Sequence, residues 1–185
     1  MHAIVTLLDA ENYAQMEALW RELEFECGLT GIAVTPIPHI SWHIAAEYDF
    51  KRLENRIAEL AEHSKPFTVR TRGLGLFTGV SPVVYIPVIK DVRLAEFHRM
   101  VWEASYPTAI GASPYYAPDA WMPHITLAHG DVDWPKLACA MEKLASQTFD
   151  WEVRLDNLAL VYQYSGEVGK IQNKIPFEGE IEANE

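Results

Sequence analysis

The feature that most restricts how this chain can fold is a short motif that occurs twice. "IPHISW" occupies residues 37–42 and "MPHITL" occupies residues 122–127, which puts His39 and His124 85 residues apart. Each copy reads apolar, Pro, His, Ile, Ser or Thr, apolar. A motif that recurs together with its surroundings indicates an internal repeat. We therefore expect one domain, 1–185, with half-repeats at about 1–80 and 81–178 and an acidic tail at 179–185.

The hydrophobic pattern predicts the order strand, helix, histidine strand, helix, strand in each half. In the first half the predicted strands are 2–9, 39–48 and 67–77, and the predicted helices are 10–27 and 49–64. In the second half the predicted strands are 82–89, 124–130, 149–164 and a last one at 169–179, and the predicted helices are 91–105 and 133–146. Strands that alternate with single helices favour an α+β or α/β domain with helices on one face of each sheet.

Successive side chains on a strand point to opposite faces, so each histidine strand should have one polar face and one apolar face. The polar faces are expected to carry His39, Ser41 and His43 in the first copy and His124, Thr126 and Ala128 in the second. The opposite faces are expected to reach the core and carry Ile40, Trp42, Ile44, Ile125, Leu127 and His129. Each strand thus presents an imidazole and a hydroxyl two residues apart.

The pair of motifs resembles the 2H phosphoesterase superfamily, which contains bacterial 2′-5′ RNA ligases and 2′,3′-cyclic nucleotide phosphodiesterases. The HxTx signature of that superfamily matches His39-Ile40-Ser41-Trp42 and His124-Ile125-Thr126-Leu127, with Ser41 in place of the commoner threonine. The stretch at 73–88 resembles the glycine and aromatic bend of the family. The resemblance implies an α+β fold of two pseudo-symmetric lobes, each an antiparallel-type sheet with outer helices, and an active-site cleft between them.

The residue types suit the opening of a cyclic phosphate. One imidazole can take a proton from the attacking water while the other protonates the departing oxygen, because histidine titrates near neutral pH. We therefore predict His39 and His124 as catalytic residues and Ser41 and Thr126 as phosphate-binding residues. The expected enzyme is a phosphodiesterase acting on a cyclic phosphate or a 2′-5′ linkage in RNA processing, reversible as ligation, with no cofactor and no metal.

Two other classes of function remain open. His43 shares the predicted face of His39, so three imidazoles near His124 could hold a metal in a metallohydrolase. Hydroxyls at the second position are poor zinc ligands, which makes His43 more typical of the cleft rim or of a partly buried histidine. The other alternative is a module that binds a nucleotide or RNA without turnover.

The segment 105–121 is long, irregular and rich in proline, glycine and aromatic residues. Loops of this length often carry function, and this one ends just before the second motif. Tyr115, Tyr116 and Trp121 could stack on a nucleobase, as aromatic side chains do on unpaired bases.

The formal net charge is −11, which excludes a broad basic surface for nucleic acid. The cations expected nearest a phosphate are Arg70, Arg72, Lys170 and Lys174. The expected partner is a nucleotide or a short RNA end with a cyclic phosphate, without an extended nucleic-acid track. The protein is expected to be a monomer.

Two cysteines, Cys27 and Cys139, form no recognisable framework, so reduced thiols in a cytoplasmic protein are expected. The N-terminus lacks the basic residues of a signal peptide. The longest apolar run, at 80–89, is too short to span a bilayer and contains prolines, so no membrane partner is expected.

Overall fold

The computed structural model describes residues 1–164 and 167–179, so most of the predicted acidic tail lies outside the described residues. The helices are α1 Ala10–Cys27, α2 Phe50–Glu62, α3 Val92–Ser105 and α4 Trp134–Leu144. The strands are β1 His2–Leu7, β2 His39–Tyr48, β3 Phe67–Arg70, β4 Gly75–Phe77, β5 Val83–Pro87, β6 Ala109–Ala112, β7 His124–Ala128, β8 Glu152–Leu155, β9 Asn157–Tyr162 and β10 Lys170–Pro176.

Each of these four helices begins after an aspartate whose side chain accepts a hydrogen bond from a backbone N–H of the first turn. The capping residues are Asp9, Asp49, Asp91 and Asp133. Such caps satisfy donors that a helix leaves unpaired, so local sequence accounts for where the helices start. In the described residues no helix is both long enough and apolar enough to cross a bilayer.

The strands form antiparallel sheets, which confirms the α+β class. The largest sheet has the order β10-β9-β1-β2-β6, a second has the order β4-β5-β7, and β3 pairs with β8. Strand β6 was not predicted, and it pairs with the end of β2 from inside the irregular segment. Strand β9 of the second half pairs with β1 of the first, and β10 pairs with β9. The large sheet therefore uses both halves of the chain, and the boundary near residue 80 stays a prediction.

Both histidine strands contain a β-bulge at the same position of the motif. On β2 the partners of Ile4 and Val5 are His43 and Ser41, so Trp42 is the extra residue. On β7 the partners of Val84 and Tyr85 are Ala128 and Thr126, and the extra residue is Leu127. A bulge puts two consecutive residues on the same side and reverses the alternation that follows.

The reversal makes the predicted faces wrong after the last residue of each motif, Trp42 or Leu127. Trp42 and His43 are both buried, and Ile44 turns to the cleft in place of His43. In the second copy Leu127 and Ala128 are both buried, and His129 turns to the cleft. His43 therefore does not share a face with His39.

Two histidines are completely buried beneath the first motif. His43 Nδ1 is hydrogen-bonded to the Tyr48 hydroxyl, and His98 Nε2 donates to the Trp42 carbonyl at 3.1 Å. Burial lowers the pKa of each to about 4, and repulsion from His98 adds to the shift at His43. Both side chains are therefore neutral in the folded protein near pH 7.

The expectation of reduced thiols is wrong for this structure, because Cys27 and Cys139 form a disulfide between the end of α1 and the middle of α4. Their Cα atoms are 5.7 Å apart although the residues are 112 apart in sequence. Helices α1 and α4 pack against each other, and that packing brings the two cysteines together. Sequence spacing contains no sign of such a contact.

We expect the free energy of unfolding to fall as the pH drops from about 6.5 towards 4. In that range the unfolded chain binds protons at His43 and His98 that the folded state excludes, with a loss of up to roughly 3 kcal/mol per histidine. Denaturant titrations at a series of pH values measure it. His98→Gln keeps a donor for the Trp42 carbonyl and should remove the share of the loss that His98 contributes, whereas His63→Gln, at an exposed position, should leave the loss unchanged. Equal acid sensitivity in the two variants would contradict this account.

Candidate active site

A cleft of about 760 Å³ opens where the histidine strands β2 and β7 approach each other. The rest of its wall comes mainly from β4, from the segments 31–35 and 114–122, and from residues of β1 and β9. The polar residues of its lining include His39, Ser41, His124, Thr126, His129 and Thr78. The remaining lining is largely aliphatic and aromatic. The cleft thus brings together the four motif residues that sequence analysis selected.

The two motif histidines are held in the same way. His39 Nδ1 is hydrogen-bonded to the carbonyl of Ile37, and His124 Nδ1 to the carbonyl of Met122 at 2.7 Å. A carbonyl oxygen can only accept, so each Nδ1 carries the proton and each neutral ring has its lone pair on Nε2. In both copies the acceptor lies two residues before the histidine, across the proline of the motif. The motif therefore sets the tautomer of its own histidine.

The environment of the two motif imidazoles favours their neutral forms. Burial lowers the pKa of His39, the hydrogen bond to Ile37 opposes that effect, and repulsion from His124 and His129 adds to the lowering. Burial also lowers the pKa of His124, against the hydrogen bond to Met122. A proton on one ring disfavours a proton on the other, as a pair that works as one base and one acid requires.

Aromatic rings fix the position of His124. Phe77 lies edge-on to its ring at a centroid distance of 5.1 Å, and Tyr85 lies at 5.2 Å. Phe77 and Tyr85 stack on each other at 4.2 Å. The Tyr85 ring passes so close to Gly75 that a Cβ atom there would lie 2.3 Å from it, which explains the glycine at this position of β4.

The three aromatic residues proposed for base stacking have different environments. Tyr115 is 79% exposed at the mouth of the cleft, so its ring is accessible to a ligand. Tyr116 is half-buried in the wall, where burial raises the pKa of its hydroxyl against a smaller opposing effect of Ser41. Trp121 is only 2% exposed and stacks on His98 at 3.9 Å, so its faces are not free for a base.

Several residues of the cleft wall were not predicted, among them Ile44, His129 and Phe77. Ile44 and His129 were assigned to the core face, and both reach the cleft because of the bulges. Phe77 was predicted only as part of the strand 67–77. The equivalence of Ile44 and His129, each five residues after its motif histidine, was available in the sequence, but nothing local signalled the bulge.

No lysine, arginine, aspartate or glutamate is among the described residues that line the cleft. Arg70, on β3, forms an ion pair with Glu152, and Arg72, just after β3, forms one with Asp150. Two of the expected cations are therefore paired outside the cleft. Lys170 and Lys174 lie exposed on β10 and do not line the cleft either. The side chains of the described lining therefore offer hydrogen bonds and apolar surface, and the charged group beside them is the α-ammonium of Met1, which donates to the Gln163 carbonyl at 2.8 Å.

Across residues 1–164 and 167–179, no group of three or more His, Cys, Asp or Glu side chains is arranged to hold a metal ion. His43, the third ligand of the metallohydrolase alternative, points into the core, where its Nδ1 is occupied by Tyr48. That ligand set is therefore not assembled.

Solved structures of other proteins have the same fold as this chain. TT0787 of Thermus thermophilus superimposes with a TM-score of 0.67 at 23% identity, over 97% of this chain and 99% of that one. LigT of Escherichia coli, solved in complex with 3′-AMP, gives 0.60 at 14% identity, over 95% and 97% of the two chains. These likenesses confirm the fold, including its antiparallel sheets.

Sequence comparison extends this likeness to a family. A Bacillus cytotoxicus protein named as a phosphoesterase is 27% identical over 143 residues, which cover 72% of this chain and 75% of that protein. A Bacillus cereus protein with the same kind of name is 28% identical over 135 residues, or 68% and 70% of the two chains. The family description that matches residues 9–167 is the 2′-5′ RNA ligase superfamily, the group of the 2H phosphoesterases, and the chain belongs to it.

Proposed function

We propose that this protein is a phosphodiesterase that opens a 2′,3′-cyclic phosphate on a nucleotide or on a short RNA end, with His39 and His124 as acid and base. The observation that carries the proposal is the matched pair of Nδ1 hydrogen bonds, which leaves both Nε2 atoms available in one cleft. Cleavage of a 2′-5′ linkage, and ligation as its reverse, use the same groups.

In the proposed reaction one neutral imidazole takes a proton from water through Nε2 as the water oxygen bonds to phosphorus. The other imidazole enters protonated and gives its Nε2 proton to the ribose oxygen as the P–O bond breaks. The product is a phosphomonoester, and the two rings have exchanged protonation states. Each proton transfer contributes roughly 10²–10⁴ in rate. The carbonyls of Ile37 and Met122 stabilise whichever ring is charged.

The hydroxyls of Ser41 and Thr126 complete this proposed site. They share the cleft with the imidazoles and can donate to the nonbridging oxygens, where negative charge increases as the nucleophile adds. Two neutral donors suit a phosphodiester that carries a single charge. Their removal should cost less than loss of an imidazole, since a hydroxyl carries no proton through the reaction.

The lining supports a small substrate. The described lining of the cleft has no Lys or Arg side chain for the additional phosphates of a long RNA, and the net charge of −11 repels a polyanion. Base stacking on Tyr115 and contact with Phe77 can hold a nucleoside next to the motifs. We therefore propose a cyclic mononucleotide, or the last nucleotides of an RNA, as the ligand of a monomeric enzyme.

A binding module without turnover is the alternative that the geometry leaves open, because the same cleft would hold a nucleotide. The E. coli LigT structures contain 3′-AMP, phosphate and other nucleotides, which supports nucleotide binding for the fold in general. Turnover separates the two functions.

The cellular location is also part of the proposal. A cytoplasmic enzyme of nucleotide or RNA metabolism was expected from the sequence, whereas the Cys27–Cys139 disulfide is a feature more usual in oxidising compartments. Alkylation of thiols at the moment of cell lysis, followed by mass spectrometry, measures the redox state of this pair in the cell.

We expect the protein to hydrolyse at least one of the four 2′,3′-cyclic mononucleotides, or short 2′-5′ oligomers, without added metal. His39→Ala and His124→Ala should each lower kcat by at least about 100-fold and remain folded, since each removes a proton carrier from a polar face. ³¹P NMR identifies the product, and EDTA-treated protein provides the metal control.

Near-normal turnover by either histidine variant would contradict the two-histidine mechanism. Loss of activity in EDTA with recovery in zinc or manganese would favour the metallohydrolase. A 5′-phosphorylated cyclic nucleotide is the matched substrate for comparison with the same cyclic nucleotide without that phosphate. A strong preference for the phosphorylated one would contradict a cleft whose described lining has no Lys or Arg side chain. Tight binding with no turnover would indicate a binding module.

We expect kcat/KM for a cyclic mononucleotide to be bell-shaped in pH, with its maximum below about 6.5. The rate rises as the base loses its proton and falls as the acid loses its own, and burial lowers both pKa values from 6.5 in the free protein. Initial rates from pH 4.5 to 9 locate the maximum. A maximum above pH 7.5, or a flat profile with chemistry rate-limiting, would contradict the assignment.

A further inference from the structure

In each motif, the backbone carbonyl of the hydroxyl-bearing residue accepts a hydrogen bond from a tryptophan. Trp121 Nε1 donates to the carbonyl of Ser41 at 3.0 Å, and Trp20 Nε1 donates to the carbonyl of Thr126 at 3.1 Å. Each acceptor belongs to the residue whose hydroxyl lines the cleft, and each comes immediately before the bulge. The repeat therefore extends to a donor that lies outside both motifs.

The two hydrogen bonds cross between the halves of the chain. Trp20 lies on α1, in the first half, and holds the second motif, 106 residues away. Trp121 lies just before β7, in the second half, and holds the first motif, 80 residues away. Both indoles are buried, at 8% and 2% exposure, so water does not compete for the carbonyls.

A bulge disrupts the regular hydrogen bonds of the sheet, so nearby carbonyls need other partners. At the first bulge, His98 donates a hydrogen bond to the Trp42 carbonyl. The His98 ring also stacks on the ring of Trp121, which holds the Ser41 carbonyl. The peptide units on both sides of Trp42 are thus held by side chains from other elements. The direction of the Ser41 side chain follows from the orientation of its own peptide unit.

We propose that Trp20 and Trp121 are positioning residues, each of which sets the hydroxyl of the opposite motif for the phosphate through its indole N–H. The proposal rests on the proposed function in one respect, that Thr126 and Ser41 contact the reacting phosphate. Both indoles are buried, so the proposed effect on the phosphate acts through the two backbone carbonyls. The arrangement makes each half of the site depend on correct packing of the other half.

The test is a set of double-mutant cycles with Trp20→Phe, Trp121→Phe, Ser41→Ala and Thr126→Ala, assayed as kcat on the best cyclic mononucleotide. Each tryptophan variant should lower kcat about tenfold, with KM less affected, in the range that coupled neighbours show. Trp121→Phe should have less than a twofold effect once Ser41 is alanine and keep its full effect once Thr126 is alanine. Trp20→Phe should show the reverse pattern.

Trp102→Phe is the matched control for loss of ring volume. Its side chain packs on His43 and Tyr106, away from the cleft, so its effect should be small and should multiply with both hydroxyl variants. If the effects on kcat of Trp20→Phe and Trp121→Phe also multiply with those of both hydroxyl variants, the indoles serve only general stability and the proposal is overturned. Equal coupling of each tryptophan to both hydroxyls would overturn it as well.

A readout that needs no turnover separates this proposal from the proposed function. The carbonyl ¹³C shift of Ser41 should change in Trp121→Phe and not in Trp20→Phe, and that of Thr126 should change in the reverse pattern. If the wild type hydrolyses none of the substrates, the proposed function fails, and the same cycles are then measured in the affinity for inorganic phosphate. Positioning is supported if each tryptophan variant changes the carbonyl shift and the phosphate-affinity coupling only of the hydroxyl residue whose carbonyl it holds. If either measurement lacks this pattern, the proposal is overturned.

Discussion

The structure depends on the register in which the two histidine strands pair with their neighbours. Strand β2 pairs with β1 and strand β7 with β5, and in each pairing the last residue of the motif is an extra residue without a partner. Before the bulge, alternation directs an imidazole and a hydroxyl to the cleft and apolar residues to the core. After it, two consecutive residues are buried and the next returns to the cleft. A slip of one residue in either strand would bury the motif and expose the core face.

This backbone constraint also determines the electrostatics of the cleft. The motif proline turns the chain so that a carbonyl lies beside Nδ1 of each histidine, and both Nε2 atoms are left for chemistry. Because no Lys, Arg, Asp or Glu side chain is among the described residues of the lining, the imidazoles of His39 and His124 are titratable groups of the site, together with His2, His129, the tyrosines and the Met1 α-ammonium. Protonation of the two motif imidazoles can respond to an anionic ligand.

The two motifs are not independent units joined by a linker. The terminal strands β9 and β10 complete the sheet of the first motif, the disulfide joins α1 to α4, and the indoles of Trp20 and Trp121 reach the opposite motif. The superfamily to which the chain belongs, and the structures it resembles, share the fold that permits such crossing. Correct geometry at either histidine therefore requires most of the chain to be folded.

Local sequence was sufficient for much of this architecture. The bounds of α1 were predicted to the residue, and the helices predicted from residues 49 and 91 begin directly after the capping residues Asp49 and Asp91. These features depend on side chains within a few residues of one another. Strand β6 was missed because four residues without a strong pattern become a strand only when β2 offers a partner.

What the sequence by itself determined is the order of elements, the α+β class and the two motifs whose His39, Ser41, His124 and Thr126 line one cleft. Only the tertiary structure decided that His43 is buried, that His129 is in the cleft wall, that Trp121 holds a carbonyl, and that Cys27 meets Cys139. Periodicity assumes an uninterrupted strand, and a bulge arises from pairing with a neighbour far along the chain. Likewise, a hydrogen bond or a disulfide across about 100 residues depends on the packing of whole elements, which no short stretch of sequence encodes.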